Sequence, residues 1–254
     1  MNDLRVSDYR VWHESGGLPI ADGVDFTASK GSILGLVGPN GSGKTTLLRA
    51  LAGLHKGASG SVRLAEHPLR GKDITFLSQN YRSTFLPWAS LRKHLALNIE
   101  GRGLGLWSRG SQIDAAVATM EVEVDLSLRP DRASGGMLQQ VNLVLAAARK
   151  SPVIFADEPF SALDITVASR LRRNFRKWII DGERIGVVVL HDPVEILELC
   201  DRVLLIPDKP FATSNAPSNC HLAEIIERNV DGAGHLSGSA DGSFVAAMKR
   251  AIDA

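Results

Sequence analysis

Four short runs along the chain are apolar without alternation: Ile33-Leu34-Gly35-Leu36-Val37, Val153-Ile154-Phe155-Ala156, Val187-Val188-Val189-Leu190 and Val203-Leu204-Leu205-Ile206. Runs of that length and continuity predict strands covered on both faces, as in a parallel sheet. Between them the period changes. Ile113, Val117 and Met120 recur with helical spacing, and Leu138, Val141 and Leu145 do so on a later segment. The first thirty residues differ again: Leu4-Arg5-Val6, residues 9–13 and Val24-Asp25-Phe26 predict antiparallel strands broken at Gly16-Gly17. The pattern therefore predicts an α/β fold with an antiparallel β subdomain near the N-terminus. A helical subdomain, about residues 88–150, is inserted into the sheet domain. Beyond residue 207, stretches 214–219 and 232–242 are rich in Ser, Gly, Asn and Ala. Residues 208–254 are expected to form a loop-rich tail, apart from a main domain of 1–207. Two short amphipathic helices are expected in it, one with Leu222, Ile225 and Ile226, the other with Phe244, Ala247, Met248 and Ala251.

The apolar runs end in chemistry. The first leads into Gly38-Pro39-Asn40-Gly41-Ser42-Gly43-Lys44-Thr45, which satisfies G-x-x-x-x-G-K-[ST] at every defined position. Glycines let successive backbone N–H groups turn inward on phosphate oxygens, and the helix opening at Lys44-Thr45-Thr46 adds its positive end. Lys44 is placed to neutralise the β- and γ-phosphates and the Thr45 hydroxyl to ligate Mg²⁺. Behind the second run stand Asp157 and Glu158. Asp157 reads as a Mg²⁺ partner and Glu158 as the general base that polarises an attacking water. At Ser134-Gly135-Gly136-Met137 a small polar turn opens a helix, a second anion-binding geometry that alone would read as an ordinary N-cap.

Composition narrows the field. Lys plus Arg number 29 and Asp plus Glu 28, a net charge of +1, so nothing electrostatic argues for nucleic acid or anionic lipid as partner. Apolar residues at 44% and charged residues at 22% are those of a globular protein with a full core. Cys200 and Cys220 form neither a disulfide framework nor a metal-binding spacing. The N-terminus has no apolar stretch of signal-peptide type, and no run approaches the roughly 20 residues that cross a bilayer. A soluble protein is expected, reaching a membrane only through a partner.

Taken together, the order of P-loop, Gln79, Ser134-Gly135-Gly136, Asp157-Glu158, Ser161-Ala162-Leu163-Asp164 and His191 resembles the ATP-binding subunit of ABC transporters, over about residues 4–206. The resemblance implies a P-loop NTPase (RecA-like) core and a head-to-tail dimer sandwiching two ATP molecules. Each ATP would lie between the P-loop of one copy and Ser134, Gly135, Gly136 and Met137 of the other. It further implies that Gln79 links Mg²⁺ and water to the membrane interface, that Asp164 is the D-loop acid, and that His191 contacts the γ-phosphate. Ala133, Met137 and Gln140 stand where the family usually has Leu, Gln and Arg, and Ala156 replaces a bulky aliphatic. For the aromatic that stacks on adenine two candidates stand side by side: His13 by strand register and Trp12 by ring surface.

Leu86-Pro87-Trp88 resembles the segment after the Q-loop in importers of the nitrate, sulfonate and taurine type, where it helps form a groove for a permease helix. The other reading is a helix-start proline with a buried Trp. Phe160 is likewise typical of importer subunits, and the tail is too short for the regulatory domain of some sugar importers. The expectation is an ATPase subunit of an importer at the cytoplasmic face of the inner membrane. It would pair with permease subunits and, indirectly, with a substrate-binding protein. The alternative is a non-transport ABC-type ATPase acting on another macromolecule.

Overall fold

The computed structural model describes residues 3–13, 19–99, 106–206 and 225–227, with backbone alone at 106–108 and 225–227. In chain order the elements are β1 (Leu4–Trp12), β2 (Pro19–Ala28), β3 (Ser32–Val37), α1 (Lys44–Leu51), β4 (Ala58–Leu64), β5 (His67–Pro68), β6 (Ile74–Leu77) and α2 (Leu91–Asn98). There follow α3 (Leu106–Met120), α4 (Gly135–Arg149), β7 (Val153–Asp157), α5 (Ile165–Asp181), β8 (Ile185–Val189), α6 (Pro193–Leu199), β9 (Arg202–Leu205) and β10 (Ile225–Glu227).

All four continuous apolar runs lie in one six-stranded sheet, ordered β10-β9-β3-β8-β7-β6 and parallel except at β10. Because side chains alternate across a strand, each strand feeds two cores. Ile33, Ile154, Ala156 and Val188 face one cluster, which also holds Leu95, Ile113, Met120, Leu138 and Val141 of α2 to α4. Leu34, Leu36, Phe155, Val187 and Val189 face a second, shared with α1 and the antiparallel sheet. Both faces are covered, which is why these strands lack polar alternation.

The antiparallel sheet has the order β2-β1-β4-β5. Leu4-Arg5-Val6 and residues 9–12 belong to one strand, joined through a bulge. Leu4, Val6, Tyr9 and Val11 are buried, the register shifts between Val6 and Tyr9, and Asp8 takes φ +47°. The Tyr9 hydroxyl donates to the Ala50 carbonyl (2.7 Å), fastening this sheet to α1.

The turn read at Ser134-Gly135-Gly136-Met137 is itself the first turn of α4, which starts at Gly135 with Ser134 as its N-cap. Ile225 and Ile226, expected on a helix, form a strand in which Ile225 pairs with Leu204 and Ile226 with Val203. β-branched residues suit that extended edge better than a helix. The remaining tail positions named above, and Gly16-Gly17, lie outside the described residues. Among the described residues no helix is long and apolar enough to cross a membrane.

Candidate functional site

Parallel strands bring their carboxyl ends to one edge of the sheet, and that edge is where this sheet gathers its polar groups. The loop between β3 and α1 carries the glycine motif. Gly41 and Gly43 hold φ of +84° and +92°, and a Cβ at Gly43 would stand 2.1 Å from Ile20 Cγ2 of β2. Only glycine fits there. Gly43 is also the N-cap of α1, so the first amides of that helix, without carbonyl partners of their own, open on the loop. Ser42 Oγ is buried without a hydrogen-bond partner among the described residues, an orphaned donor that a phosphate oxygen would satisfy.

Lys44 is 5% exposed. Its Nζ donates to the carbonyls of Gly38 (2.8 Å) and Pro39 (2.5 Å), so the ammonium is folded back on the loop. Burial pushes its pKa below the ordinary lysine value, and the charges of Glu158 and Asp157 partly offset that. A cation held on weakly negative carbonyls is a ready partner for a stronger anion.

Thr45 Oγ1 donates to Asp157 Oδ1 at 3.1 Å across the α1–β7 gap. Asp157 is 3% exposed, and burial raises its carboxyl pKa while the Thr45 hydroxyl opposes the rise. A hydroxyl and a carboxylate are the hard oxygen donors Mg²⁺ prefers, and this ion commonly takes one or two protein groups with phosphate completing its shell. The residues fit the ion. Among the described residues no group of three or more His, Cys, Asp and Glu could hold a metal, and Mg²⁺ with a nucleotide does not need one.

Glu158 begins the turn after β7 with φ +48°, unusual for a residue bearing a side chain, and its N–H donates to the Val189 carbonyl (3.2 Å). That turn aims both carboxylate oxygens at neighbours from other strands. Gln79 Nε2 donates to Oε2 (3.0 Å), and His191 Nε2 lies 2.5 Å from Oε1. An ionised carboxylate only accepts, so Nε2 carries the hydrogen. Gln79 follows β6 and His191 follows β8, the strands on either side of β7. The Thr45–Asp157 pair and the Gln79–Glu158–His191 set thus lie side by side, joined through the adjacent residues 157 and 158.

The signature residues and Asp164 lie in a second group. Ser134 Oγ accepts from Met137 N (3.2 Å), and Asp164 Oδ1 accepts from Val167 N (3.0 Å) to cap α5. A Cβ at Gly136 would meet the Ala162 carbonyl oxygen at 3.2 Å, and Tyr81 donates its hydroxyl to the Gly135 carbonyl (3.1 Å). Trp12 is half-buried at the end of β1 and His13 is exposed just past it. Trp88 is 70% exposed, with buried Phe85 and Ala89 on either side, and Ser90 rather than Pro87 opens α2. The buried-Trp reading is overturned. Sequence reasoning also missed Gln139, a buried amide of α4 that bonds the turn at Glu158.

The profile of the ABC transporter family matches residues 21–161, more than half of the chain. The chain belongs to the ABC transporter family. Among curated relatives, the probable sulfate/thiosulfate import ATP-binding protein CysA of Chlorella vulgaris is 32% identical over 200 residues, 75% of this chain and 82% of that one. The sulfoquinovosyl glycerol transport ATP-binding protein SmoE of Agrobacterium fabrum is 31% identical over 196 residues, 75% of this chain. The chain spans about half the length (54%) of SmoE and of UgpC, the sn-glycerol-3-phosphate import ATP-binding protein of Vibrio cholerae. The dimeric structure of MJ0796, a bacterial ABC transporter cassette, superposes with a TM-score of 0.70 at 24% identity, over 81% of this chain and 94% of that one. The fold is that of an ABC ATPase cassette: a P-loop NTPase core, an antiparallel β sheet and a helical segment between β6 and β7.

Proposed function

We propose that this chain is the ATP-binding and ATP-hydrolysing subunit of an ABC importer, coupling hydrolysis to uptake of a small solute through a separate permease. The observation that carries it is Glu158 beside the P-loop, held by Gln79 and His191 from adjacent strands. The names of the import relatives support the direction of transport. Release of phosphate from MgATP by the purified chain, stimulated when the permease is added, is the test. Phosphate transfer to another small molecule, with no net hydrolysis, would reject it.

In this reading Gly38, Pro39, Asn40, Gly41, Ser42, Gly43, Lys44, Thr45 and Thr46 bind the phosphates, and Trp12 or His13 stacks on adenine. Thr45 and Asp157 would hold Mg²⁺, with Gln79 facing it, and the ion would neutralise charge on the β- and γ-phosphates. Glu158 takes a proton from the attacking water as its oxygen bonds to the γ-phosphorus, and the bond to the bridging oxygen breaks to release ADP. His191 holds Glu158 in place and contacts the γ-phosphate. Ser134, Gly135, Gly136 and Met137 complete the site of a second copy, and Asp164 lies across the dimer interface. The subunit would sit peripherally at the cytoplasmic face of the inner membrane, supplied by a substrate-binding protein beyond the permease.

Leu86-Pro87-Trp88 supports the finer assignment to the nitrate, sulfonate and taurine type. Trp88, just before α2, and Leu97, in its last turn, are 70% and 55% exposed. Trp88→Ala is expected to leave folding and nucleotide binding intact, because the ring is outside the core, and to weaken permease binding by about 2 kcal/mol or more. Co-purification with the permease measures it; undiminished assembly removes Trp88 from the interface.

Met137 bears on the dimer. A thioether is a weak acceptor and donates nothing, where the family's Gln could bond the facing nucleotide. One neutral hydrogen bond is worth about 0.5–1.5 kcal/mol. In a Glu158→Gln background, Met137→Gln should therefore tighten ATP-driven dimerisation by a few-fold to about tenfold. Light scattering at graded protein concentration reads this; an unchanged or looser dimer means that packing already compensates for Met137.

A further inference from the structure

Gln139 is 2% exposed, and both ends of its side-chain amide are spent on the same five-residue turn. Nε2 donates to the Glu158 carbonyl oxygen (3.1 Å), and Oε1 accepts from Ala162 N (2.7 Å). The same Glu158 carbonyl accepts from Ser161 Oγ (3.1 Å) and Ser161 N (3.4 Å). The turn is fastened internally by Ser161 and externally from two sides: β8 holds the Glu158 N–H through the Val189 carbonyl, and α4 holds the Glu158 carbonyl and the Ala162 N–H through Gln139. That helix is capped by Ser134 and begins at Gly135 and Gly136, and a Cβ at Gly136 would stand 3.2 Å from the Ala162 carbonyl oxygen.

We propose that Gln139 is a positioning residue for hydrolysis, tying the backbone of the turn that carries Glu158 to the helix whose N-terminus faces the partner's nucleotide. With its side chain buried and both ends of its amide bonded within the chain, it acts through Glu158 rather than on the nucleotide. It acts by fixing where the Glu158 backbone sits, at a residue whose positive φ leaves its side-chain direction sensitive to small shifts in the turn. Because α4 is a single rigid helix, movement of its N-terminus against a nucleotide reaches Glu158 through this amide. The inference rests on Glu158 being the base.

Gln139→Glu keeps the acceptor for Ala162 N–H but removes the donor and sets a carboxylate against the Glu158 carbonyl. Gln139→Met keeps length and removes both bonds. In the full chain, kcat of each variant should fall about 10- to 100-fold, as expected for a misplaced catalytic group. The Kd for MgATP, read by calorimetry, should stay within about twofold, since the P-loop is untouched. The thermal midpoint is followed alongside. A kcat near wild type in a folded variant overturns the proposal. So does equal loss of binding and turnover, or failure of both variants to fold, each of which makes Gln139 structural. Glu158→Gln run in parallel separates the two ideas. If it keeps turnover, the base assignment fails, whereas a dead Glu158→Gln beside a normal Gln139→Glu sinks only the positioning role.

Discussion

Glu158→Gln is expected to reduce ATP turnover by at least about 100-fold, the lower end of what a positioned general base contributes. Affinity for MgATP should change little, because the groups proposed to hold phosphate lie on the β3–α1 loop and the proposed base lies after β7. The substitution also keeps the constellation together. Gln79 can rotate its amide to present either an oxygen or an NH₂ group, and His191 can shift its ring hydrogen, so a glutamine at 158 can still bond both neighbours. What it lacks is a site of suitable basicity for the proton of the attacking water. The variant should bind MgATP, fail to clear it and accumulate as a dimer. Single-turnover hydrolysis with the permease present checks this directly. Turnover within a few-fold of the parent would move the base to another residue, and His191, already within hydrogen-bond distance of the same carboxylate, would be the first to test.

Why some of this was legible in the sequence and some was not follows from the range of the interactions involved. The P-loop is contiguous, and each of its constraints is local: positive φ at Gly41 and Gly43, a helix start at Lys44. Its residue types therefore announce it. The strands β3, β7, β8 and β9 were visible because burial on both faces excludes polar residues from the run. By contrast, β6 has only four residues, Ile-Thr-Phe-Leu, one of them a buried Thr held by Ser151, too short and mixed a run to stand out in hydropathy. Strand β4, Ala58–Leu64, is fully buried only at Leu64 and opens on Ala-Ser-Gly-Ser, so its pairing with β1 leaves little trace in hydropathy.

The site divides the same way. That Gln79, Glu158 and His191 meet was carried by the family resemblance, since they are separated by 79 and 33 positions and no local pattern joins them. Gln139 is one of two consecutive glutamines in an apolar helix, and nothing in its neighbours distinguishes the buried one from Gln140. Hydropathy treats an isolated Trp as a core residue, yet Trp88 is out in solvent, where a loop between two buried anchors, Phe85 and Ala89, leaves it. Surface placement of a large aromatic is a tertiary outcome.

Lys44→Ala is expected to act earlier in the cycle than the base substitution, on nucleotide binding itself. The ammonium is buried, its pKa is lowered by burial, and its only hydrogen-bond partners among the described residues are two loop carbonyls. Such a charge is under-compensated, so phosphate oxygens should bind it strongly and raise its proton affinity as they do so. Charged hydrogen bonds are worth about 1.5–3 kcal/mol each, so loss of even one should weaken MgATP binding roughly tenfold to 150-fold. The fold should survive, because alanine is the best helix former and Lys44 is the first residue of α1. Water can also enter the vacated loop and meet the Gly38 and Pro39 carbonyls. Calorimetric titration of the nucleotide-free variant with MgATP and MgADP gives the Kd values, and circular dichroism confirms that α1 and the sheet remain. An unchanged Kd for both nucleotides in a folded variant would mean that Lys44 serves only to brace the loop it touches, and the phosphate role would pass to the helix amides and Ser42.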